Sequence, residues 1–89
     1  MPERQVPSED LRRMAEEFAR AGRASEDTLA RLDHAVEVME KKWGGATQQS
    51  FYRQFRSLRP QMARLGAHLD LIAREVNALV ERFESADRS

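Results

Sequence analysis

The sequence predicts an all-α protein built as a long antiparallel two-helix hairpin. Three observations predict it. Apolar residues recur at alternating steps of four and three in each half of the chain, the spacing that keeps side chains on one stripe of a helix. A tryptophan and two glycines interrupt that pattern near mid-chain. No stretch alternates apolar and polar residues with the period of a strand.

The first helix is expected over about residues 8–42. Its stripe is Leu11, Ala15, Phe18, Gly22, Ser25, Leu29, Leu32, Val36, Met39 and Trp43, without a charged member. Pro7 and Ser8 open it, with Ser8 as the expected N-cap and Glu9 and Asp10 suited to the positive end of the helix dipole. Lys41 and Lys42 are placed in its last turn, where positive charge suits the opposite end. The turn is expected over about residues 43–46. Gly44 and Gly45 stand where the chain must reverse, and glycine takes a left-handed conformation there at little steric cost.

The second helix is expected over about residues 47–86, with Phe51, Phe55, Leu58, Met62, Leu65, Leu69, Ile72, Val76, Leu79 and Phe83 as its stripe. Pro60 removes one backbone hydrogen bond, so a bend is expected near it. The pattern keeps its phase across Pro60, which predicts one helix and not two. Joined by a few residues, two such helices fold back antiparallel as a single domain over residues 1–89, roughly 50 Å long at about 1.5 Å per residue.

Each stripe has an uncharged flank. Met14, Ala21, Thr28 and Ala35 lie beside the first, and Tyr52, Gly66, Ala73 and Val80 beside the second. Stripe and flank together are wider than one partner helix covers. With 89 residues, 34% of them charged, and no cysteine to form a disulfide, the hairpin needs another chain as its staple. The expected assembly is an elongated four-helix bundle of two hairpins.

Charge and composition exclude several classes. Fifteen basic and fifteen acidic residues cancel, which disfavours a nucleic-acid binder. No apolar run exceeds three residues, so no stable membrane insertion is expected, and Met1–Asp10 lacks the apolar stretch of a cleaved signal peptide. His34 and His68 fall on polar columns, no carboxylate lies on either stripe, and no phosphate loop or nucleophile–base pair is present. The expectation is no enzyme, no cofactor and no metal. Between Lys41 and Leu69 stand six positive charges (Lys41, Lys42, Arg53, Arg56, Arg59 and Arg64) and no acid. Residues 1–40 hold ten acids and six bases, and residues 70–89 five acids and three bases. That distribution predicts a dipole, positive at the turn, favouring antiparallel self-association.

Trp43-Gly44-Gly45 fits W-x-G in a turn between two helices, and the whole chain resembles the WXG-motif, ESAT-like family of small type VII secretion substrates. The resemblance implies a protein secreted without a cleaved signal peptide, cytoplasmic before export, that travels as a folded dimer. The partner it implies is a second copy in an antiparallel homodimer, or a homologous chain. The family also has a C-terminal Y-x-x-x-[D/E] export signal. Here Phe83-Glu84-Ser85-Ala86-Asp87 matches it, with phenylalanine in the aromatic place. By resemblance, a membrane-anchored ATPase of the FtsK/SpoIIIE type reads this arm, with Val80 and Phe83 as apolar anchors and Asp87 alongside. The alternative role is a helper that forms a heterodimer with a larger type VII toxin or substrate.

Overall fold

The described residues of the computed structural model are 7–42 and 44–88, without the side chains of Thr47, Asp87 and Arg88. They form α1, Ser8–Glu40, and α2, Ala46–Arg88. Contacts between the helices pair falling numbers with rising ones: Val36 with Tyr52, Asp33 with Arg59, Gly22 with Gly66 and Arg12 with Glu84. The helices are therefore antiparallel. The molecule measures 68 × 19 × 17 Å, longer than expected, because the 43 residues of α2 alone extend about 65 Å at ~1.5 Å per residue.

The ends of α1 differ from the sequence reading. Pro7, not Ser8, is the N-cap: its backbone is extended (φ −58°, ψ 139°), and its carbonyl accepts the N–H groups of Asp10 and Leu11 at 3.0 and 3.1 Å. With that carbonyl closing the first turn, Ser8 is already helical and no side chain caps the helix. Lys41 and Lys42 lie beyond Glu40 in the turn, so the last turn of α1 holds no base. Lys42 N–H instead donates to the Met39 carbonyl at 2.9 Å, a tight closing bond that ends the helix early. Gly45 takes φ +98°, a left-handed conformation favouring glycine, and its carbonyl accepts Gln49 N–H at 3.3 Å as α2 begins. Trp43 lies outside the described residues. α2 continues through Pro60 as one helix.

The core is narrow, with small side chains where the helices cross. Ala15, Gly22 and Leu29 are the buried residues of α1, one heptad apart. They meet Tyr52, Gly66, Ala73 and Val80 of α2, also in heptad spacing. Heptad spacing is the signature of two helices held along one seam. The α2 seam is therefore the column read from sequence as a flank. The reason is the closeness of the helices. At the crossing a Cβ on Gly22 would stand 3.1 Å from the Gly66 carbonyl oxygen and 3.3 Å from Asp70 N. Leucine and phenylalanine do not fit between backbones that near, so glycine and alanine take the crossing and the larger columns turn aside; Leu29 and Tyr52 enter the seam only nearer the turn. Tyr52 closes the turn end of the seam, and its hydroxyl donates to the Val36 carbonyl at 3.3 Å.

Candidate interaction face

Starting from the inner seam, the large apolar residues lie about 50° and 100° around each helix in one rotational sense. On α1 the two columns are Leu11, Phe18, Ser25, Leu32 and Met39, then Met14, Ala21, Thr28 and Ala35. On α2 they are Phe55, Met62, Leu69, Val76 and Phe83, then Phe51, Leu58, Leu65, Ile72 and Leu79. In an antiparallel pair, the same rotation on each helix leads to the same side of the hairpin. Four uncharged columns thus form one continuous face.

The face is left open by the hairpin. Of the nine large apolar side chains exposed among the described residues, seven lie on it: Met14, Leu32, Met39, Phe51, Leu58, Leu65 and Phe83. Val38 and Leu71 are off it. Leu58 and Leu65 keep 50% and 55% of their surface accessible in the middle of α2. Phe18, Val36, Phe55, Met62, Leu69, Ile72, Val76 and Leu79 are half-buried, and of the sequence-predicted stripe residues Ala15, Gly22 and Leu29 are buried in the seam. At the turn end Phe51 stacks parallel to Phe55 with ring centroids 6.3 Å apart and meets Tyr52 edge-on at 5.9 Å. A contiguous apolar face of this extent on so small a chain marks a contact surface.

The opposite side is charged. Arg12 of α1 is hydrogen-bonded to Glu84 of α2. Arg59 grips Asp33 with two parallel bonds, Nε to Oδ1 at 2.9 Å and Nη2 to Oδ2 at 2.6 Å. The guanidinium holds the Asp33 carboxyl below its ordinary pKa of 3.8, chiefly through the hydrogen bonds, and the carboxylate raises Arg59 in return. Arg59 stands at the heptad place between Tyr52 and Gly66, where a seam residue belongs. Sequence reading missed this pair. The signal was the gap that Arg59 leaves in the column Tyr52, Gly66, Ala73, Val80.

This clasp also corrects the expected dipole. Folding back lays the basic stretch of α2 beside residues 25–40 of α1, which carry five acids (Glu26, Asp27, Asp33, Glu37, Glu40) and one base (Arg31). Most of the positive charge at the turn is therefore opposed from across the hairpin: residues 25–66 hold seven bases and five acids and the rest eight bases and ten acids, a dipole of the expected sign but much weaker.

The C-terminal arm divides in two. Val80 is completely buried between the helices, so it cannot be an anchor for another protein while the hairpin is closed. Phe83 is 53% exposed on the apolar face, and Glu84 points to the charged side against Arg12. The Asp87 side chain lies outside the described ones. Among the described residues no group of three His, Cys, Asp or Glu is placed to hold a metal ion, and no helix is long and apolar enough to cross a membrane.

Comparison with known proteins places this architecture. Protein YukE of Bacillus subtilis is 23% identical over 83 residues, 93% of this chain and 86% of the relative. EsxA of Geobacillus thermodenitrificans superposes with a TM-score of 0.87 at 23% identity, covering 92% of this chain and 91% of the other. The secreted protein EsxB of Bacillus anthracis does so with a TM-score of 0.84 at 26% identity, covering 98% and 99%. The family model described as proteins of 100 residues with WXG matches residues 4–88, nearly the whole chain, and with its hairpin and its Trp43-Gly44-Gly45 sequence motif the chain belongs to the WXG100 family.

Proposed function

We propose that this chain is a small non-enzymatic substrate of a type VII secretion system, exported as a folded dimer. The observation that carries the reading is the four-column uncharged face on a hairpin of the WXG100 family. Two hairpins joined through the middle of that face make an elongated four-helix bundle that removes Leu32, Leu58 and Leu65 from water and leaves Phe83, at the end of the face, accessible. The partner in this reading is a second copy, antiparallel to the first. The protein starts in the cytoplasm and leaves it without a cleaved signal peptide.

The C-terminal arm supplies the export signal. Phe83 presents an aromatic ring just beyond the anchored Val80, and the secretion ATPase of the FtsK/SpoIIIE type reads that ring together with Asp87. Trp43, Gly44 and Gly45 form the turn motif of the same reading. Its experiment is export from a strain with a type VII system. The wild-type chain is expected in the culture supernatant, and Phe83→Ala is expected to remain in the cells with helicity and dimer mass unchanged. Equal export of both would overturn the arm as signal. A wild-type chain that is monomeric by light scattering would favour the helper role with a heterologous partner.

A further inference from the structure

The end of α2 outruns its packing. Val80 is the last buried residue of α2, and of the side chains from 81 to 86 only that of Glu84 is half-buried. A helical segment with so little support from the rest of the fold is marginal in water and frays. The aromatic ring and the acid of the C-terminal signal, Phe83 and Asp87, stand four residues apart, so they share a side of the arm only while it is helical.

We propose that Arg12 is a positioning residue of the export signal. Its bond to Glu84 tethers the end of α2 to the start of α1, keeps the arm helical and turns Phe83 to the apolar face. The inference rests on the export reading above and adds to it a residue from outside the arm.

Arg12 stands in the second turn of α1, and its Nη2 donates to Glu84 Oε1 from the other end of the chain. Its own helix offers it Glu9 and Glu16 at the spacings of intrahelical pairs, yet it takes the acid of the arm. Arg13, the next residue, is bonded to Asp10 within α1 and does not serve the arm. Both Arg12 and Glu84 keep part of their surface in water, so joining them carries little desolvation cost. Adjacent residues of a helix project about 100° apart. Glu84 held against α1 therefore sets its neighbour Phe83 on the apolar side, where its ring is exposed.

The tether joins the two ends of one chain, so it forms only when the first turns of α1 are docked on α2. An arm ordered in this way reports a closed hairpin, and the export machine that reads it receives a folded chain.

The experiment is to reverse the charge. In Arg12→Glu, amide hydrogen exchange in residues 82–86 is expected to rise about two- to thirtyfold, the range for trading one exposed attraction for a repulsion of equal size. Exchange in residues 20–30 should stay as in wild type, and so should the dimer mass, because Arg12 lies on the charged side of the hairpin. Export of Arg12→Glu from a strain with a type VII system is expected to fall, and adding Glu84→Arg is expected to restore both the slow exchange and the export. Arg13→Glu, the same change one residue along, should leave the arm and its export as in wild type. An arm that exchanges no faster in Arg12→Glu would overturn the tether. A looser arm exported as well as wild type would overturn the positioning role. Export of Phe83→Ala at the wild-type level is a separate failure: it would overturn the export reading and the role of Arg12 in it, while exchange would still report the tether.

Discussion

Gly22 and Gly66 meet at the helix crossing, but their backbones leave different room for a side chain. A Cβ on Gly22 faces backbone, the Gly66 carbonyl oxygen at 3.1 Å and Asp70 N at 3.3 Å. A Cβ on Gly66 faces the Glu26 Cγ at 3.2 Å, part of a flexible side chain, and the Gly22 carbonyl oxygen only at 3.5 Å. Alanine gains about 1 kcal/mol over glycine inside a helix. At position 66 that gain should survive, because Glu26 can swing away. At position 22 the two backbones must separate, at a cost of about 1–3 kcal/mol. Gly66→Ala should therefore keep or raise the melting temperature and Gly22→Ala should lower it, compared at one protein concentration. Equal shifts in the same direction would contradict the crossing geometry.

The Asp33–Arg59 clasp makes part of the stability depend on acid. The Asp33 pKa is lower in the folded protein than its ordinary value of 3.8, so the pair contributes fully above 3.8. That contribution is lost as pH falls through the lowered value, where Asp33 takes up a proton. Arg59 stays charged throughout. Asp33→Asn should be less stable than wild type at neutral pH and converge with it in strong acid. Denaturant titrations at several pH values test this, and a constant gap between the two proteins would count against it.

How much of this was visible beforehand depends on which interaction decided the outcome. The two helices, the reversal at Gly45 and the uncharged columns follow from local spacing, and the structure has them at Ser8–Glu40 and Ala46–Arg88. Which α2 column faces inward was not legible. Spacing ranks columns by apolar size, whereas the Gly22–Gly66 approach sorts them by how little space they occupy. The same blindness to distance hid Arg59, whose charge is tolerated at a seam position because its side chain stays exposed while pairing with Asp33 of the other helix. The ends of α1 were misread for a backbone reason, since the Pro7 carbonyl closes the first turn without help from Ser8.

The open face and the inner seam should respond differently to the same charge. Leu58 is half exposed in the single hairpin, so Leu58→Asp should leave its helicity intact and shift the dimer to monomer. Ala73 is buried between the helices, so Ala73→Asp should unfold the hairpin, because an unpaired carboxylate there has no compensating partner. Light scattering reads the first and circular dichroism the second. Loss of helicity in Leu58→Asp would show that the face is required within one hairpin and not only between two.

Val80 and Phe83 stand three residues apart on the same arm, yet they should fail in opposite assays. Val80 has no accessible surface, and removing two of its methyl groups should cost about 1–3 kcal/mol through lost burial and a small cavity. Phe83 is more than half exposed, so Phe83→Ala should change the stability of a single hairpin by only about 0.5 kcal/mol. In the export reading the order reverses. Phe83→Ala stops secretion in a protein that melts normally, while Val80→Ala lowers the melting temperature and reduces secretion only as far as the unfolded fraction grows. Measuring both quantities on both variants separates the signal from its support, and a Val80→Ala protein that melts like wild type yet stays in the cell would move the anchor inward from Phe83 to the seam.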